Sequence, residues 1–96
     1  MSTMITTARV ETATPARFMG QLCKHFAHRI PASHDETHGR IEFADALCEL
    51  EAQEGVLVMR LTAADEAATA RMQRVVADHL LRFAFREPPQ VVWREG

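Results

Sequence analysis

Histidines are concentrated in one short part of the sequence. Four of the five lie within fourteen positions, at His25, His28, His34 and His38. A cysteine, Cys23, lies just upstream of this group. Imidazole and thiolate groups are good ligands for zinc and copper. The segment is therefore a candidate metal site, and ordinary surface histidines are the alternative.

The spacing of these residues limits which of them can share an ion. On a helix that turns by about 100° per residue, His25 and His28 lie about 60° apart and can face one ion together. On the same helix Cys23 points about 160° away from His25 and cannot join them. The metal hypothesis therefore combines His25 and His28 with a histidine of the following hairpin, His38.

A second candidate site surrounds the fifth histidine. His79 lies in an apolar helical stripe, and a buried imidazole needs hydrogen-bond partners. It is either a core-edge residue bonded to a strand carbonyl or a carboxylate, or it lines a pocket under the helix. Arg82 and Arg86 follow it, interleaved with Phe83 and Phe85, a pattern typical of a nucleic-acid or anion site. In the alternative interpretation the phenylalanines are core and the arginines extend over them to water.

The order of elements that must position these side chains is strand, helix, several strands, helix, strand. The predicted strands cover Met4–Glu11, Ile30–Glu36, Arg40–Phe43, a segment around Cys48–Ala52, Leu57–Leu61 and Gln90–Arg94. Tight turns make consecutive strands antiparallel, and two one-sided helices cover one sheet face. The sequence therefore predicts one α+β domain over residues 1–96, an antiparallel sheet with two helices on one face.

Both helices carry start signals and apolar stripes. Thr14 and Pro15 open the first helix, which is expected to end near Arg29, and Thr62 or Asp65 caps the second, which runs to about Phe83. The first stripe contains Phe18, Met19, Leu22, Cys23 and Phe26. The second contains Ala68, Met72, Val75, Val76, His79, Leu80 and Phe83. Cys23 and Cys48 are expected to be free core thiols.

Composition excludes several functions. The net charge is −2, which predicts no binding to nucleic acid or to a membrane surface. The basic residues are ten arginines and a single lysine, Lys24. No apolar run approaches the roughly 18 residues of a membrane-spanning helix, and no signal peptide is recognisable, so a cytoplasmic location is expected. No P-loop, G-x-G-x-x-G, Ser/His/Asp, paired-carboxylate or zincin pattern occurs, and no motif indicates a cofactor.

Three runs of the sequence resemble a bacterial family. They are LCKHFAH at residues 22–28, HGRI at 38–41 and VADHLLRFAFRE at 76–87, and they are similar to Domain of Unknown Function family 2218. The resemblance implies a small α+β protein and an association with siderophore-interacting flavin reductases. It carries over no catalytic residue. The matching polar positions are candidates for binding, and they are His25, His28, His38, Arg40, His79, Arg82 and Arg86.

These observations favour a non-enzymatic accessory domain that binds a small anionic or metal-chelate ligand, with a link to siderophore or iron handling. The expected ligand-binding residues are His79, Arg82, Arg86 and Arg40, and the expected metal ligands are His25, His28 and His38. A protein-interaction module or homodimer is one alternative, and an enzyme built on His79 and its arginines is another. A ligand domain needs a polar-rimmed pocket at His79 or His25, whereas an interaction module needs an exposed apolar patch.

Overall fold

Six strands and two helices form the fold in residues 3–84 and 89–96, the parts of the chain that the computed structural model describes. The strands are β1 (Met4–Glu11), β2 (Ala32–His34), β3 (His38–Glu42), β4 (Ala46–Gln53), β5 (Val56–Ala63) and β6 (Trp93–Glu95). The helices are α1 (Pro15–Ala27) and α2 (Glu66–Phe83). The predicted α+β class is confirmed.

The strands form one antiparallel sheet in the order β2-β3-β4-β5-β1-β6. The strands β2 to β5 follow one another as a meander, and β1 lies between β5 and β6. Helix α1 packs mainly on β2, β3 and β4, while α2 packs mainly on β5. We call the sheet face under the helices the inner face and the opposite one the outer face. Neither helix has the length and apolar character needed to cross a membrane.

The core follows from the periodicity of the sequence. Side chains alternate across a strand, so every second residue of β1 and β5 is buried on the inner face. These residues are Thr6, Ala8, Val10, Leu57, Met59, Leu61 and Ala63. The helices bury Met19, Leu22, Cys23, Phe26, Ala68, Met72, Val76 and Leu80 against them. Both cysteines are buried and unpaired, as predicted.

The helix starts follow the predicted positions, with one difference. Asp65 caps α2, because its Oδ1 accepts a hydrogen bond from the backbone N–H of Ala68 at 2.7 Å. Thr14 precedes α1, but its side chain makes no capping bond. Its backbone N–H instead donates to Oγ1 of Thr12 at 3.2 Å. Helix α1 ends at Ala27, two residues before the predicted end.

The turn between β2 and β3 lies earlier than the sequence indicated. The backbone N–H groups of His38 and Thr37 donate to Oδ1 of Asp35 at 2.7 and 2.8 Å, and these bonds lower the pKa of Asp35. An aspartate that binds the backbone two and three residues ahead forms a turn of its own. The turn therefore occupies positions 35–37, and His38 begins β3. Strand β6 is likewise shorter than predicted and begins only at Trp93.

Gly39 permits a close approach between β3 and α1. A Cβ at this position would lie 2.9 Å from Sγ of Cys23 and 3.2 Å from Cγ of Met19, and both neighbours are buried. Gly39→Ala is expected to lower the free energy of unfolding by about 1–3 kcal/mol, because a well-packed core must shift to admit the methyl group. Urea denaturation followed by circular dichroism measures the loss.

The matched control removes the atom that blocks the new methyl group. Cys23→Ala in the Gly39→Ala background should recover part of the lost stability, since the two residues are in contact and their effects are coupled. Strictly additive losses for the two substitutions would show that the close approach of Gly39 to Cys23 is not the cause.

Candidate functional site

Two histidines from different helices lie ring against ring. His25 is in the last turn of α1, and His79 is in the C-terminal half of α2. Their ring centroids are 4.8 Å apart, with the planes inclined at 45°. The ring of Phe26 lies 5.2 Å from His25 and 4.8 Å from His79, and the ring of Phe83 lies 5.9 Å from His25. The sequence singled out both histidines, but not their contact.

The helical stripes explain where these rings lie. Phe26 is buried beneath α1, which places the preceding residue, His25, at the border between core and solvent. On α2 the buried residues Val76 and Leu80 bracket His79, which is half-buried at the edge of the same stripe. Each histidine is therefore held on a helix with one side toward apolar atoms and the other toward water.

The orientation of His79 is fixed by its own helix. Its Nδ1 lies 2.7 Å from the carbonyl oxygen of Val75, one turn earlier. A carbonyl oxygen only accepts hydrogen bonds, so Nδ1 carries the proton of this bond. In the neutral ring Nε2 then holds the free lone pair. The partner is neither the strand carbonyl nor the carboxylate that the sequence led us to expect.

His25 lies in a basic environment. His25 is exposed, but desolvation by the neighbouring protein atoms lowers the pKa of His25 below the usual imidazole value. Nearby basic groups lower it further, and these are His79, Arg82, His28 and Arg29. The neutral ring is therefore the favoured form of His25 at neutral pH.

A depression of about 360 Å³ lies at the histidine pair. We call it the helix depression, and it is lined by His25, Phe26, His28, Arg29 and His79. No carboxylate is among these lining residues. Its volume lies within the range of small-molecule sites, with apolar Phe26 beside basic groups. Arg29 was not predicted from the sequence, although its position four residues after His25 could have indicated it.

The structure does not bring His38 to the other predicted metal ligands. Side chains alternate along β3, and because Gly39 faces α1, His38 points to the outer face. There its Nε2 lies 3.9 Å from Oε2 of Glu51. His25 and His28 lie on the helix side of the sheet. In residues 3–84 and 89–96, no three metal-binding side chains form a cluster.

The predicted ligand-binding arginines are also separated. Arg82 belongs to the basic surroundings of His25. Arg40 lies two positions after His38 in β3 and also points to the outer face, where its Nε lies 3.9 Å from Oε2 of Glu42. Arg86 lies outside the described residues. Of the predicted ligand-binding set, the structure therefore places His79 and Arg82 near the helix depression and Arg40 on the other side of the sheet.

Comparison with known proteins identifies the family. The model of a family described as an uncharacterized protein conserved in bacteria, DUF2218, matches residues 7–94. The chain belongs to this family. Among solved structures, it is similar to the NMR structure of PA4090 from Pseudomonas aeruginosa, with 38% sequence identity, 95% of each chain covered and a TM-score of 0.80. No curated protein matches the sequence.

The outer face of this DUF2218 protein offers a different kind of surface. A larger depression there, of about 580 Å³, is lined by Thr7, Arg9, Glu11, Gln90, Val92 and Arg94. It mixes both signs of charge and contains no histidine. Val92, at 46% exposure, is the one large apolar side chain that is exposed in the described parts of the chain. In the described part of the outer face, polar side chains are interspersed with half-buried apolar ones such as Ile5 and Val58.

Proposed function

We propose that this DUF2218 protein is a non-enzymatic accessory protein that binds a small anionic ligand in the helix depression. One observation carries the proposal: every ionisable side chain that lines the depression is a histidine or an arginine. Uncompensated basic groups around a concave surface attract an anion, and low-dielectric walls strengthen that attraction. Arg82 adds a further positive charge close to His25.

The lining suits an oxyanion attached to a carbon skeleton. The guanidinium of Arg29 presents a planar fork of donors that matches a carboxylate or a phosphate. Ring N–H groups of His25 and His28 supply further donors, and Phe26 supplies an apolar contact for carbon atoms. Anionic metal chelates belong to this ligand class. Because the family resemblance implies association with siderophore-interacting flavin reductases, ferric citrate is among the first ligands to test.

The rival functions have less support. An interaction module would need an exposed apolar patch, whereas Val92 is isolated as an exposed large apolar side chain in the described residues. An enzyme would need a base next to a nucleophile or a substrate site. The residues that line the helix depression include no carboxylate, hydroxyl or thiol group. Ligand binding without catalysis is the function that this set of side chains supports best.

The test is a calorimetric titration with citrate and with inorganic phosphate at low ionic strength, where charged contacts are least screened. We expect saturable one-to-one binding of citrate. Arg29→Gln should weaken it by about tenfold or more, because a hydrogen bond to a charged group contributes about 1.5–3 kcal/mol. Arg40→Gln, the same change on the outer face, is the matched control and should leave the affinity unchanged.

Two results would overturn the proposal. One is that neither citrate nor phosphate binds saturably to the wild-type protein. The other is an equal loss of affinity in the Arg29→Gln and Arg40→Gln variants, since that would show a response to overall charge rather than to a site.

A further inference from the structure

The histidine pair has the spacing of two ligands on one ion. When two imidazoles bind a zinc or copper ion at about 2.0–2.1 Å with bond angles between about 90° and 109°, their ring centroids lie about 4.5–5.2 Å apart. The centroids of His25 and His79 are 4.8 Å apart. The two rings come from different helices, so the tertiary fold holds them at this distance.

The hydrogen bond of His79 is the kind that prepares an imidazole for a metal. A metal-ligating histidine donates its other ring N–H to a carbonyl or carboxylate, which fixes both the tautomer and the ring orientation. His79 donates from Nδ1 to the carbonyl oxygen of Val75 at 2.7 Å. Its Nε2 is thereby left as the metal-binding atom.

The positive charge around the histidine pair favours a metal ion that is already bound to an anionic chelator over a free metal ion. His25 and His79 supply two ligands, and no third metal-binding side chain joins them among the described residues. A bare dication would also be repelled by Arg29 and Arg82. A metal that carries its own carboxylate ligands removes both difficulties. Its oxygens complete the coordination sphere, and its remaining negative charge pairs with the guanidinium groups.

We infer that His25 and His79 bind a divalent transition metal that arrives in the helix depression as an anionic carboxylate chelate. Nε2 of His79 and one ring nitrogen of His25 replace weakly held ligands of the metal, such as water, and no bond of the chelator breaks. The inference rests on the proposed function, because the anion that the basic residues attract is here the chelator. It assigns the histidines to the metal and the arginines to the carboxylates.

The test compares citrate alone with nickel(II) citrate on the full chain without a histidine tag, using calorimetry. We expect nickel(II) citrate to bind with one-to-one stoichiometry and at least tenfold more tightly than citrate. His79→Gln keeps a hydrogen-bonding side chain but removes the metal-binding nitrogen, so it should abolish this enhancement while citrate alone still binds. His25→Gln should do the same. His38→Gln, on the outer face, is the matched control and should behave as wild type.

A second measurement does not depend on the variants folding. Copper(II) citrate bound to the wild-type protein should give an electron paramagnetic resonance spectrum with hyperfine coupling to two imidazole nitrogens. Equal affinity for citrate with and without nickel would overturn the metal inference and leave the anion function standing. Enhancement that survives in His79→Gln, or that disappears in His38→Gln, would also overturn it. Failure of citrate and of nickel(II) citrate to bind would overturn both proposals.

Discussion

Replacing Phe26 with alanine is expected to lower the free energy of unfolding by about 3–5 kcal/mol. Phe26 is only 9% exposed, and its ring meets that of Phe43 edge to face at 5.2 Å as well as touching His25 and His79. Truncation removes the favourable transfer of the ring from water and leaves a cavity that rigid neighbours fill only in part. Urea denaturation followed by the fluorescence of Trp93 measures the change.

Phe18→Ala is the matched control for this prediction. Phe18 lies on the same helix, but it is only partly buried at the edge of the core. Its truncation should therefore cost clearly less than that of Phe26. A loss below about 1 kcal/mol for Phe26→Ala, or equal losses for both variants, would mean that the buried face of α1 is assigned incorrectly.

Stability is also expected to fall steeply above pH 9. Burial, followed by the nearby Cys23 and Glu49, raises the pKa of Cys48 to about 12. In the unfolded chain a thiol loses its proton near pH 8.5. Between these values the unfolded state binds fewer protons than the native state, so the free energy of unfolding decreases as pH rises. The slope approaches about 1.4 kcal/mol per pH unit, which gives a loss of about 2 kcal/mol by pH 10 from Cys48 alone.

This alkaline range is unusually free of other titrations. The chain has no tyrosine, and Lys24 is its only lysine. Urea denaturation at intervals from pH 7 to 10.5, with a reductant present, should therefore report mainly on the two thiols. Burial also raises the pKa of Cys23, so part of the slope should remain in Cys48→Ala. Identical slopes for wild type and Cys48→Ala would contradict the prediction.

The parts of the fold that the sequence predicted well are those specified by local signals. The alternation from Met4 to Glu11 and the Asp65 cap of α2 correspond to the observed elements, because burial on one sheet face and a free helix N-terminus act within a few residues. The β2–β3 turn was placed too late, since the side-chain bonds of Asp35 prevailed over the turn signal of Thr37, His38 and Gly39.

The candidate site was predictable by residue type but not by geometry. His25 and His79 stood out as histidines on apolar helices, yet their contact depends on how α1 and α2 meet, which no short stretch of sequence specifies. His38 was grouped with His25 because they are near in sequence. Because the turn ends before His38, this residue belongs to β3, and the alternation of side chains along the strand places it on the outer face.

The position of β1 in the sheet has a consequence for the order of assembly. Strand β1 precedes both of its neighbours in the chain. On one side it pairs with β5, where Glu11 lies opposite Val56 and Met4 opposite Ala63, and on the other side it pairs with β6, which follows β5 in the sequence. The strands of the meander β2–β5 are joined by short loops, and strands that are close in sequence pair faster than distant ones. A growing chain therefore holds β1 without a partner until β5 has emerged from the ribosome. The N-terminal strand of this domain is therefore among the last of its strands to be paired.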